Sequence, residues 1–224
     1  AERALWASLT SPTDGVVDRF FNRPLGRPLS KLLVHTPVTP NQVTLFSMLI
    51  GLGAAGLFAK GEYVASILGA VVFQCSALVD CIDGDLARMV FKESRFGKWL
   101  DITADQIVHV MVFGAMAYGL SRDIGPALSW ALGASAVLGA LLSFGVVLRG
   151  MLLPKTERSA RLEKLIDSAT TRDFSVLVVV LAIFGKLAWF LWMTAFGVHV
   201  FWITALIFQW PQSRPPTLES KPNQ

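Results

Sequence analysis

Charge is what this chain has least of. Asp, Glu, Lys and Arg make up 16% of its 224 residues, against about 25% in soluble domains. Hydrophobic residues make up 53%, and the mean hydropathy is positive. Those proportions argue against a soluble globular domain and for a polytopic membrane protein. No basic stripe is interleaved with aromatics, so nucleic acid is excluded as a partner; the net charge of +4 suits loops facing anionic headgroups. Only two cysteines occur, Cys75 and Cys81, in one apolar segment. At that spacing they cannot pair along a helix, and they say little about redox compartment. No His–Cys cluster with zinc-ligand spacing is present, and the N-terminus lacks a charged-then-apolar leader pattern. Targeting is therefore expected to come from the spans themselves.

Long apolar runs are plentiful, and they set an all-α expectation. Residues 1–40 read as an amphipathic juxtamembrane segment. Val16, Val17, Phe20, Phe21, Leu25, Leu29, Leu32 and Leu33 recur at roughly helical spacing. Arg19, Arg23, Arg27 and Lys31 recur every four residues on another face. This pattern predicts an interfacial helix lying in the headgroups, interrupted near Pro24 and Pro28. Residues 41–210 form the membrane domain, with six transmembrane helices expected. Four run over Asn41–Ala59, Tyr63–Val90, Trp99–Leu120 and Pro126–Leu148. Residues 174–210 are long enough for two more, divided near Gly185-Lys186, each close to the minimum length for crossing. The tail, 211–224, is Pro-rich and expected to be disordered.

Loop charge gives an orientation. With the N-terminus, the second and fourth loops and the tail on one side, 17 of the 20 Lys and Arg lie there; Lys60, Arg122 and Lys186 lie opposite. The positive-inside rule then places both termini in the cytoplasm.

Against this apolar background one stretch carries four carboxylates, Asp80, Asp83, Asp101 and Asp105. Their spacings put the first two on one helix face and the last two on one face of the next. A short loop makes those helices antiparallel neighbours, so the four can converge at the cytoplasmic ends of spans two and three. Charged residues at mid-span cost about 2.5–3.5 kcal/mol each, so four cost on the order of 10 kcal/mol without a counter-charge. Oxygen-only ligands favour a hard divalent cation such as Mg²⁺ or Mn²⁺. Gly84 opens the helix backbone, Ala87 keeps the next turn small, and Arg88 offers a fork suited to phosphate. Together these describe a metal-bound diphosphate, the setting of phosphoryl transfer.

The residues from Asp80 to Asp105 read D-x2-D-G-x2-A-R-x8-G-x3-D-x3-D. This pattern resembles the signature of the CDP-alcohol phosphotransferases at every defined position. The resemblance implies that Asp80, Asp83 and Asp101 hold one metal ion and Asp80, Asp101 and Asp105 a second. It further implies that Asp105 deprotonates the acceptor hydroxyl. Gly84, Arg88 and Ser94, with Asn41 and Thr44 in the turn opening span one, would bind the CDP part of a CDP-linked donor. The β-phosphorus would be attacked and CMP would leave. The segments Leu9–Gly15, Phe21–Arg23, Thr39–Thr44 and Thr171–Asp173 are similar to the membrane domain of di-myo-inositol-phosphate phosphate synthases. Gln106 and His109 stand where that branch is expected to carry Arg and Asp, so an inositol-type acceptor does not follow, and a phospholipid product stands beside it.

Other residues carry less. His109, one turn past Asp105, either orients the acceptor or packs. Arg149 and Arg172 either bind a phosphorylated acceptor or belong to a solvated positive loop. His35 and His199 read as interfacial. Gly51, Gly53, Gly56, Gly133 and Gly139 read as helix-packing positions, in one chain or a homodimer. Two further readings differ in class. A prenyl-diphosphate transferase needs aspartate-rich motifs on two separated segments, and none recurs after Asp105. A divalent-cation transporter needs acidic residues on several spans, and spans one, four and six have none.

Overall fold

The computed structural model describes residues 17–89, 94–152 and 174–209. The expected tail, Arg172 and the first sixteen residues lie outside these. Among the described residues every regular element is helical: a π-helical turn at Asp18–Asn22, then α1 (Arg23–Val34), α2 (Pro40–Phe58), α3 (Tyr63–Met89), α4 (Arg95–Leu120), α5 (Pro126–Leu152), α6 (Phe174–Ile183) and α7 (Leu187–Gln209). Five of them, α2 to α5 and α7, are long and apolar enough to cross a membrane. The fifth expected span is represented by α6, whose ten described residues extend about 15 Å, half of a hydrocarbon core.

Local chemistry sets the boundaries. Thr39 and Gln42 form a capping box, with Pro40 in the first turn of α2 and the Thr39 N–H donating to Gln42 Oε1 at 2.9 Å. Ser94 caps α4 by accepting from the Gly97 N–H at 2.9 Å. Gly61 (φ 68°) closes the turn between α2 and α3, where a Cβ would run into the Gly119 carbonyl. Gly185 (φ 65°) closes the turn between α6 and α7. α6 is helical despite four valines in ten residues, a case of environment overriding weak propensity.

The bundle has α2 packed on α3 and α4, α4 on α5, α5 on α7, and α6 wedged against α3 and α7. Its main core, from Phe58 and Phe73 through Val112, Phe113 and Met116 to Leu191, is rich in alanine. Small residues there let backbones approach, as helices do where lipid supplies no hydrophobic drive between them. Large apolar side chains point outward instead, among them Leu49, Leu68, Met111, Leu138, Phe196 and Val200. A soluble protein of this size does not expose so much contiguous apolar surface.

Helix ends sort to two levels. Asn41 meets Gly97 at one end, and Gln209 Nε2 donates to Val146 O at 2.7 Å near the same end of α5. At the other end Gly61 meets Gly119, and Tyr63 Oη donates to Ile183 O at 2.6 Å.

α1 corrects one expectation. It is continuous through Pro28, with Pro24 in the first turn, where a missing N–H costs nothing. Part of its polar side turns inward, while Lys31 stays exposed. Asn22, Arg23, Gly26 and Ser30 are buried, whereas Phe20, Phe21, Leu25, Leu29 and Leu32 are exposed. The spacing suggested that the whole basic row faces headgroups; Arg23 instead faces α3.

Candidate active site

The signature carboxylates face one another from α3 and α4, which are not the direct neighbours expected from the short loop: each packs on α2 instead. Asp80, Asp101 and Asp105 each offer one oxygen, and these oxygens lie within 4.8 Å of one another. Asp80 is buried, the other two half-buried. It is the one such group of three potential ligands among the described residues. An all-carboxylate set of this size, partly withdrawn from water, suits a hard divalent cation.

Asp83 does not join that group. It is buried one turn further along α3 and accepts a hydrogen bond from Thr44 Oγ1. The Thr44 hydroxyl, expected at the nucleotide, is thus directed at a signature carboxylate. Three residues along α2, Ser47 Oγ lies 3.2 Å from Asp80 Oδ1 and 2.8 Å from Thr44 O. Ser76 Oγ in turn donates to Ser47 O at 2.7 Å. The hydroxyl face of α2 therefore holds both α3 carboxylates.

The remaining expected residues divide. Gly84 is open: a Cβ there would have only Arg88 Nη2 nearby, at an ordinary 3.5 Å. That Nη2 donates to Asp85 Oδ1 at 3.1 Å, and the buried Nε of Arg88 has no hydrogen-bond partner. Asn41 Oδ1 would come within 3.1 Å of a Cβ on Gly97, which ties the first turns of α2 and α4 together. Ser94 serves as the α4 cap. His109 packs against Phe113 and Phe174, with centroids 6.0 and 5.4 Å away. Arg149, in the last turn of α5, is exposed. His199 is not interfacial as expected. It lies in the α5–α7 seam, Nε2 3.1 Å from Ser135 Oγ and Nδ1 accepting from Trp202 Nε1 at 2.9 Å.

Two charged residues beside the site, Asp85 and Arg23, were not assigned to it from the sequence. Asp85 occupies an undefined position of the signature and is buried. Its Oδ1 takes Arg23 Nη1 at 2.6 Å and Arg88 Nη2 at 3.1 Å. An acidic residue next to Gly84 and one turn before Arg88 was the available hint; the 62-residue separation from Arg23 hid the partner.

Comparison with known proteins agrees with this geometry. Residues 37–210 match the CDP-alcohol phosphatidyltransferase family. A bifunctional IPC transferase and DIPP synthase of Rubrobacter xylanophilus is 36% identical over 137 residues, 61% of this chain and 29% of that protein. A phosphatidylinositol phosphate synthase of Corynebacterium glutamicum is 39% identical over 93 residues, 42% of each. The chain thus spans under half the length of these relatives. Among solved structures, Mycobacterium tuberculosis phosphatidylinositol phosphate synthase with CDP-DAG bound superposes with a TM-score of 0.60 at 21% identity, covering 88% of this chain and 98% of that one. The same enzyme in complex with manganese and citrate gives 0.58 at 20% identity, with coverages of 88% and 93%. At those identities the likeness concerns the fold. With the signature intact and the family match covering more than three quarters of its length, the chain belongs to the CDP-alcohol phosphatidyltransferase family.

Proposed function

We propose that the protein transfers a substituted phosphate from a CDP-linked alcohol, of the CDP-diacylglycerol or CDP-inositol type, to an acceptor hydroxyl and releases CMP. The observation that carries this reading is the convergence of Asp80, Asp101 and Asp105 within 4.8 Å beside the open backbone at Gly84. Residues 41–210 are the catalytic domain. Asp105 takes the proton of the acceptor hydroxyl, whose oxygen forms a bond to the β-phosphorus. The bond from that phosphorus to the bridging oxygen breaks, and CMP leaves with the electron pair. Asp80, Asp101 and Asp105 would hold one Mg²⁺ or Mn²⁺ ion, and Asp83 would join Asp80 and Asp101 at a second. Divalent ions bound there would stabilise charge on the diphosphate and make a nearby hydroxyl more acidic.

Gly84, Arg88, Ser94, Asn41 and Thr44 receive the CDP portion of the donor. The buried, unpartnered Nε of Arg88 supports a phosphate contact there. His109, Arg149 and Arg172 are assigned to a phosphorylated or plain alcohol acceptor. The active site and both termini face the cytoplasm, in line with the skew of Lys and Arg. Six segments cross, with α6 and α7 as the last two. The outward apolar face of α1 lies in the interface. Gly53 and Gly56, which have nothing within 4 Å of a built Cβ, offer a close-packing face to a second copy in a homodimer.

Purified protein supplied in separate reactions with labelled CDP-diacylglycerol and CDP-inositol, and with a panel of acceptors, tests the reading. CMP should appear only when Mg²⁺ or Mn²⁺ is present, with product masses naming the alcohols. Asp105→Asn should lower turnover by 10²-fold or more, the contribution of a positioned general base. CMP release that survives chelation, or full activity in Asp105→Asn, refutes it.

A further inference from the structure

One carboxylate oxygen, Asp85 Oδ1, receives two guanidinium groups. Arg23 reaches it from α1 at 2.6 Å, and Arg88 reaches it from the next turn of α3 at 3.1 Å. The side chains of Arg23 and Asp85 are 9% and 2% exposed, whereas that of Arg88 is 35% exposed. The tight, buried contact therefore belongs to Arg23, and the longer, partly solvated one to Arg88. An Asp85–Arg88 pair alone would be electrically neutral, and its arginine would have to be pulled from a buried carboxylate before binding an anion. With Arg23 included, the three groups carry one net positive charge. Arg88 is left with a charge to offer, and with a fixed orientation because one amino group is anchored. The anchored Nη2 is the group that faces the open backbone of Gly84, 3.5 Å from where a Cβ would sit, and the buried Nε has no hydrogen-bond partner.

We propose that Asp85 and Arg23 are positioning residues for donor binding: Asp85 aims the Arg88 guanidinium, and Arg23 cancels the Asp85 charge so that Arg88 keeps its own for the diphosphate. This rests on the assignment of Arg88 to the donor phosphates. It also gives α1 a part in donor recognition, because Arg23 is the first residue of that helix.

The test is CMP-release kinetics with the CDP-linked donor titrated at saturating Mn²⁺, in the full chain. Arg23→Gln should raise the donor KM by about tenfold, equivalent to about 1.4 kcal/mol, and change kcat and the Mn²⁺ half-saturation by less than threefold. Adding Asp85→Asn should return the donor KM to within threefold of the parent, since Asn keeps the acceptor oxygen and removes the competing charge. A double variant no better than Arg23→Gln overturns the proposal, because two merely structural losses accumulate instead of cancelling. So does an Arg23→Gln variant that leaves donor KM unchanged or moves kcat and Mn²⁺ response as much as donor KM. If Arg23→Gln is not monodisperse, Arg23→Lys and the double variant decide: both should stay within threefold of the parent, and a larger rise in either overturns the proposal. Arg88→Gln separates the two levels of inference. If it leaves donor KM unchanged, the phosphate role of Arg88 has failed and this proposal falls with it. If it raises donor KM while the double variant shows no rescue, only the positioning role has failed.

Discussion

Thr44 shows how a neutral side chain can govern a charged site. Its hydroxyl donates to Asp83 and also lies 3.2 Å from Pro40 O. Asp83 is buried, so removing that donor leaves a carboxylate short of a partner, at a cost of about 1–3 kcal/mol. Thr44→Val keeps the shape and removes the donor. It should lower stability by that amount and raise the Mn²⁺ concentration for half-maximal CMP release by roughly 10- to 100-fold, the usual penalty for removing support behind a ligand. Thr44→Ser should retain both properties. An unchanged Mn²⁺ response in a folded Thr44→Val protein would argue that Asp83 does not ligate. The four aspartates were legible because charge inside an apolar run needs a reason. Thr44 was legible only as part of a resemblance, and Ser47 not at all, since a single hydroxyl in an apolar helix has no pattern. Asp85 was passed over because its meaning depends on Arg23, whose position relative to α3 is a tertiary fact.

At the level of elements, the site depends on how closely α2 and α4 approach. A Cβ on Gly51 would sit 2.6 and 2.8 Å from the two methyls of Val108 and 3.1 Å from Ser76 Oγ. Val108 follows Asp105 by three residues on α4, so pushing the helices apart there also moves the carboxylate. Overpacking of this kind costs about 1–3 kcal/mol. Gly51→Ala should therefore lower the melting temperature and depress CMP release. Gly51→Ala combined with Val108→Ala, which removes both clashing methyls, should recover much of each. Thermal unfolding in detergent and turnover measured on the same samples check this; equal losses in the single and double variants would place the cause elsewhere. Five glycines drew notice in the sequence, and the fold separates them. Gly51, Gly133 and Gly139 sit against Val108, Ala117 and Val198, whereas Gly53 and Gly56 have open space. Helical periodicity assigns residues to faces but does not say which face meets a neighbour. The same limit explains α1, where an amphipathic pattern was plain but its inward side proved to be the polar one.

Across the whole molecule the question is what crosses the membrane and which way it faces. Phe174, the first residue of α6, packs on Phe73, ten residues into α3, with centroids 5.9 Å apart. The other end of α6 meets the start of α3 through the Tyr63–Ile183 hydrogen bond. The described part of α6 therefore covers the half of the bundle away from the carboxylates. Its turn to α7 lies level with Tyr63, and α7 returns to the level of Val146. That arrangement makes the turn at Lys186 the decisive position for the span count. Lys186, Glu62 and Asp123 are exposed at the end opposite the acidic site, and His35 and Arg149 are exposed elsewhere. Single cysteines at these five positions, in a background where Cys75→Ala and Cys81→Ser remove the native thiols, report sidedness through a membrane-impermeant maleimide. Glu62→Cys, Asp123→Cys and Lys186→Cys should react in intact cells; His35→Cys and Arg149→Cys should react only after permeabilisation. Labelling of Glu62→Cys and Asp123→Cys but not Lys186→Cys would mean that α6 turns back inside the bilayer. A complete reversal would put the carboxylates on the outer face, away from the cytoplasm where a CDP-linked donor is made available. The skew of Lys and Arg predicts against that reversal at about 1 kcal/mol for each basic residue near an anionic surface.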